Sequence, residues 1–298
     1  MTDPAAFWPG VLGLLFLVAG IITYRRDFQT SPRDAASGLT ALGPVFVAAA
    51  LAAFAGEHFT AAASLAQIVP KWMPARLFIA YFVGAAHLAA ALSFVARRYV
   101  RWSALCLALM FALFVLLMDL PAAVSNPAIR MSWSLAAREG TFAIGALALF
   151  ATATIDTSPR RAATLATIAR IWTAAVLVFY GFENFLYPQF APGVPSTTPT
   201  QPWVPLPAVI AYATGLLLVA FGLAMFAEKY ASAAAARCGL VMTVLTAALY
   251  VPQWVMARGV SQQVTAINFV FDTLLFAGTV LVIGRAISQN SLQRSSHA

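Results

Sequence analysis

Charge is what this chain of 298 residues has least of: Asp, Glu, Lys and Arg make up 9% of it, against 61% hydrophobic residues. So few charges cannot cover the surface of a soluble protein of this length. Long apolar runs and a mean hydropathy of +0.82 exclude disordered, collagenous and disulfide-rich secreted classes. Cysteine is nearly absent. Cys106 and Cys238 form no CxxC or metal-spaced pair, which argues against dithiol redox chemistry and structural zinc. Histidine is scarce too: His58, His87 and His297 show no i, i+4 spacing, so no metal site is expected. Phosphate-cradling glycine loops, Walker motifs and nucleophile elbows are also missing. The net charge of +8 contains no basic run beyond the Arg97, Arg98, Arg101 cluster. Beside apolar runs, such clusters mark cytoplasmic membrane loops rather than a nucleic-acid surface. Arg25, Arg26 and Arg33 fit the same rule, with lipid binding as the alternative.

What remains is an all-α polytopic membrane protein. A hydrocarbon core of about 30 Å takes roughly 20 apolar residues of helix, and nine segments approach that length. They are Ala5 to Tyr24, Leu39 to Phe59, Leu77 to Ala96, Trp102 to Leu120, Leu135 to Ile155, Thr164 to Tyr187, Ala208 to Ala227, Cys238 to Val255, and Ala266 to Ile287. Arg170 near the start of the sixth is expected to snorkel. Placing the N-terminus outside puts thirteen basic residues in the cytoplasm, against Lys71, Arg76, Arg130, Arg138 and Arg258 on the other face. The C-terminus is then cytoplasmic, and the first segment reads as a retained span of a bacterial-type inner membrane protein. The tryptophans fall near segment ends, where indoles sit at headgroup level.

The chain also compares with itself. Phe54-Ala55-Gly56-Glu57-His58-Phe59 lines up with Tyr180-Gly181-Phe182-Glu183-Asn184-Phe185 at an offset of 126. At 131, Trp72-Met73-Pro74 meets Trp203-Val204-Pro205, Gly84 meets Gly215, and Pro121 meets Pro252; at 133, Glu139 meets Asp272 and Gly145 meets Gly278. The offsets rise in small steps, as loop insertions produce. The expected organisation is an N-terminal helix and loop over 1–38, a four-helix repeat with linker over 39–163, a second over 164–287, and a polar tail over 288–298. An even number of spans per copy makes the repeats parallel, with a pseudo-two-fold axis along the membrane normal. The matched glycines are expected at close helix contacts.

Residues 39–287 resemble the DoxX family of four-helix membrane proteins. The resemblance lies in Gly56-Glu57-His58-Phe59, Trp72-Met73-Pro74, Gly84 and the basic turn Arg97-Arg98-Tyr99-Val100-Arg101, and in Glu183-Asn184-Phe185, Trp203-Val204-Pro205 and Gly215. In the second copy Asn184 replaces the histidine and the loop is longer. The resemblance implies a membrane partner of redox systems, including a subunit associated with thiosulfate:quinone oxidoreductase. It implies no settled catalytic site and leaves the first span unexplained.

Acidic residues carry the remaining signal. Asp3, Asp27, Asp34, Asp156 and Glu228 fall in expected loops, whereas Glu57, Asp119, Glu139, Glu183 and Asp272 fall at the outer ends of spans. Asp272 is expected roughly 9 Å, and Glu139 roughly 6 Å, inside its helix. A carboxylate at such depth needs a partner, water or a proton. The matched pairs Glu57 with Glu183 and Glu139 with Asp272 point to a shared outward-facing site. The alternative is structural carboxylates tied to Arg138, Arg76 and backbone donors. Arg138, adjacent to Glu139 but about 100° away around the helix, is expected to serve a different acid. His87, mid-span, is either a proton relay or ligand contact, or a helix-helix hydrogen bond. Haem ligation by His58 and His87 would require two histidines at different depths to face each other. The loop from Pro188 to Pro207 holds seven prolines and no charge, so it is either a semi-rigid lid or a plain connector.

Three functions fit these residues. The first is a noncatalytic scaffold or ligand-binding subunit serving a quinone-linked or other redox partner. Its ligand-binding candidates are Glu57, His58, His87, Arg138, Glu139, Glu183, Asn184 and Asp272, with quinone, lipid or another amphipathic molecule as ligand. The second is a proton- or cation-coupled transporter rocking about the pseudo-two-fold axis. The third is an acid/base enzyme on a lipid-like substrate, using Glu139 and Asp272.

Overall fold

The computed structural model describes residues 3–30 and 35–296. Among these, nine helices are long and apolar enough to cross a membrane: α1 Pro4–Phe28, α2 Gly38–Thr60, α3 Arg76–Ala96, α4 Val100–Ser125, α5 Arg130–Thr154, α6 Pro159–Leu186, α7 Pro207–Phe226, α8 Glu228–Met256 and α9 Val260–Gln293. Helix satisfies every backbone group within the segment, which lipid demands. The chain is a multi-pass membrane protein. Arg33, Asp34 and His297 lie outside the described residues.

The helices overrun the apolar runs that announced them. α5 begins at Arg130 and α6 at Pro159, because polar residues continue a helix in water once its apolar part is anchored. Asp27 therefore sits on the first helix and Glu228 opens α8, rather than in loops. The 288–298 segment, expected as a tail, continues the last helix to Ser296. Arg170 is not merely snorkelling: its guanidinium donates to the carbonyls of Met225 and Phe226, capping the end of α7. Trp172 is not at a helix end either. It lies halfway along α6 against Gly140, its indole N–H donating to Thr141 Oγ1 at 3.1 Å.

α4 and α8 each contain one π-helical turn, Val115–Asp119 and Thr246–Tyr250. Each is followed by a proline, Pro121 or Pro252. A proline ring collides with the carbonyl four residues back, here that of Leu117 or Ala248, and the widened turn relieves the collision.

Packing closes a ring. Consecutive helices from α2 to α9 touch in order, α9 returns to α2, and α5 meets α9 across the middle. The expected split at residue 163 is thus not a boundary between separate bodies. α2 of the first half lies on α9 of the second, and α6 of the second lies on α5 of the first. Where α2 crosses α9, a Cβ on Gly278 would fall 2.9 Å from the Gly43 carbonyl oxygen, so only glycine lets the two backbones meet. α1 stands outside the ring against α2 and α9, with Gly10 under Trp254 and Gly13 under Phe271.

At one end of the bundle, Arg97 forks onto Asp27 at 2.8 and 3.1 Å and covers the Tyr24 ring at 4.7 Å. Arg285 approaches the same carboxylate at 3.7 Å. This ties α1, α3 and α9 together. The opposite end holds the acidic residues.

Candidate functional site

The deepest acid is Asp272. Twelve residues into α9, it lies about 18 Å along the helix, twice the depth expected, because α9 starts at Val260. It is 5% exposed. Its Oδ2 accepts from Arg138 Nη1 at 2.9 Å, so the arginine does serve an acid on another helix. It also keeps its neighbour within reach: Arg138 Nη2 is 3.7 Å from Glu139 Oε1. Asp119, at the end of the α4 π turn, feels the same guanidinium. One cation thus faces three acids. Arg138 Nε, Glu139 Oε2 and Asp119 Oδ2 are buried and meet no partner among the described residues.

Glu183 is elsewhere. Arg130 donates to it from Nη1 at 2.5 Å and to the Ser196 carbonyl from Nη2 at 2.7 Å. The guanidinium lies 4.1 Å from the Tyr187 ring centroid and 5.0 Å from that of Phe190. Beside it Asn184 exchanges two hydrogen bonds with Gly193: its Nδ2 donates to the glycine carbonyl and its Oδ1 accepts from the glycine N–H, both at 3.0 Å. Gly193 has φ of +108°, which a side chain would strain. Tyr250 Oη donates to the Pro192 carbonyl at 2.7 Å. The proline-rich loop is therefore neither a loose connector nor a hinged lid. Residues 192–196 are buried as a plug held by α5, α6 and α8.

Glu57 makes a third place. Asn268 Nδ2 donates to its two oxygens at 3.1 and 3.4 Å. Next to it, His58 Nδ1 donates to the Phe54 carbonyl at 2.8 Å. His87 is buried, and its ring centroid is 5.3 Å from that of His58. The two histidines that had to face each other do so.

The four matched carboxylates thus occupy three places instead of one common site. The enclosed space beside Glu57 and beside Glu183 is about 10 Å³ each, room for a water. The network closes on itself because each acid has a nearer partner than another acid. Arg76, expected to hold a carboxylate, is exposed with no ion pair among the described residues. It lines an open groove of about 370 Å³ with Gln67 and Phe78.

Two partners were missed. Asn268 stands four residues before Asp272, on the same helix face, and Arg130 eight before Arg138, about two turns away. That periodicity was readable, but only the fold shows which carboxylates face it. All three links cross between the halves: Arg138 on α5 to Asp272 on α9, Arg130 on α5 to Glu183 on α6, and Asn268 on α9 to Glu57 on α2.

No protein-family model, curated protein or solved structure matches the chain.

Proposed function

We propose that this is a DoxX-like tandem duplication that serves, in a bacterial-type inner membrane, as a noncatalytic scaffold or ligand-binding subunit for a quinone-linked or other redox partner. The duplication reading is supported by the two π turns, which stand at the 131-residue offset of the Trp-x-Pro motifs and each precede a proline. It is supported again by reciprocal packing, α2 on α9 and α6 on α5. The pseudo-two-fold axis then passes between α5 and α9, with the acidic end outside and the Arg97–Asp27 end in the cytoplasm.

One observation carries the scaffold reading: every carboxylate link at the acidic end joins one half to the other. A buried pair costs several kcal/mol to open, so these links hold the halves at fixed spacing. Rocking of the halves, as a transporter needs, would break all three. The test is purification in mild detergent followed by native mass spectrometry. A retained quinone, lipid or partner chain is expected, and repeated isolation of a bare monomer overturns the reading.

The partnerless Oε2 of Glu139 favours a second reading, acid/base chemistry with Asp272 on a lipid-like substrate. Glu139→Gln would then abolish turnover of an added amphiphile while leaving expression intact. Sidedness is checked by cysteine accessibility: a cysteine at Lys71 should label from outside and one at Arg98 only after permeabilisation.

A further inference from the structure

His87 has no use in the carboxylate network. It stands midway along α3, 3% exposed, and neither ring nitrogen meets a donor or acceptor among the described residues. A buried imidazole in that state forfeits hydrogen bonds it would keep in water. Around it are the rings of Phe54 at 6.2 Å, Phe111 at 5.9 Å and His58 at 5.3 Å, the last set edge to face at 83°.

His58 is prepared on its side. A carbonyl oxygen only accepts, so the 2.8 Å contact with Phe54 puts the proton on Nδ1 and leaves the lone pair on Nε2. Metal-binding histidines use this arrangement: one ring N–H held by a backbone carbonyl, the other nitrogen free for the ion. The pair has no third His, Cys, Asp or Glu beside it among the described residues. Glu57, the next residue, is turned to Asn268.

We propose that His58 and His87 form a two-coordinate site for a soft monovalent metal ion, Cu(I). The choice of ion follows from what the pair supplies and lacks. Zinc takes four protein or water ligands, and calcium and magnesium take oxygens. A divalent ion between two neutral imidazoles and two phenyl rings would carry uncompensated charge into an apolar interior. Imidazole suits copper, and the cuprous ion brings only one positive charge. A haem would need a slot between the rings, whereas α2 and α3 touch here: a Cβ on Gly84 would fall 2.7 Å from His58 Cβ. His58 is half-buried near the outer end of α2, which makes it the entry ligand and His87 the inner one. This site stands apart from the scaffold reading and does not depend on it.

The experiment is an anaerobic titration of the full-length protein in detergent with Cu(I), against a chromogenic Cu(I) chelator, with Zn(II) in parallel. The wild type should withhold one equivalent of Cu(I) and no zinc, and X-ray absorption should show two nitrogen neighbours. His58→Gln and His87→Leu should each lose that equivalent, while the Cys106→Ser, Cys238→Ser double variant keeps it. Should His87→Leu not purify as a monodisperse species, His58→Gln decides, because that side chain is partly exposed. Retention of the equivalent in His58→Gln, sulfur neighbours in the spectrum, or zinc held as tightly as copper would each overturn the proposal.

Discussion

Arg138 and Asp272 stand 134 positions apart in the chain and 2.9 Å apart in space, joining the two helices that meet across the middle of the ring. A partly buried arginine with one direct acid and two more nearby is held by all of them, so its loss strands several charges at once. Arg138→Leu should lower stability by about 3 to 5 kcal/mol, the usual cost of breaking a buried pair from one side. Arg138→Leu with Asp272→Leu should recover most of it. Thermal melting by size-exclusion in detergent reads both, and a single variant that melts with the wild type would show the pair to be idle.

Arg130 holds the proline-rich plug through Glu183 and the Ser196 carbonyl. Hydrogen bonds to charged groups contribute about 1.5 to 3 kcal/mol each. Arg130→Ala should therefore raise the open population of residues 188–207 at least about tenfold. Limited proteolysis of the detergent-solubilised protein is the measure, and unchanged cleavage within that loop would contradict the latch.

Gly193 occupies a positive-φ conformation, with Met242 Cε 3.3 Å from where a Cβ would be. Gly193→Ala should cost about 1 to 3 kcal/mol from backbone strain. Gly38→Ala, whose Cβ would meet Phe28 at an ordinary 3.5 Å, should cost far less. Equal melting shifts for the two would refute the assignment.

Asn268→Leu should leave Glu57 half-buried without its donor, a loss of about 1 to 3 kcal/mol. Adding Glu57→Leu should restore part of it, since both polar groups are then gone. Asp156→Asn, on an exposed turn, is the neutral control. Asp27 is no such control, because Arg97 and Arg285 both hold it. If Asn268→Leu melts like Asp156→Asn, the Glu57 contact contributes nothing.

Composition and periodicity alone determined the nine apolar helices, since lipid leaves an apolar segment of about 20 residues no other way to satisfy its backbone. They also marked which carboxylates lie deep, because depth follows from position along a helix. Charge identity did not say which cation meets which acid: Arg76 and Arg130 are both outer-face arginines at helix starts, yet only Arg130 reaches a carboxylate. Nor did spacing along the chain show that His58 and His87 face each other, or that residues 192–196 turn inward. Those outcomes depend on which helix stands beside which and at what rotation. Each contact joins segments whose separation in sequence carries no angular information, so the pairing was decided only when the ring closed.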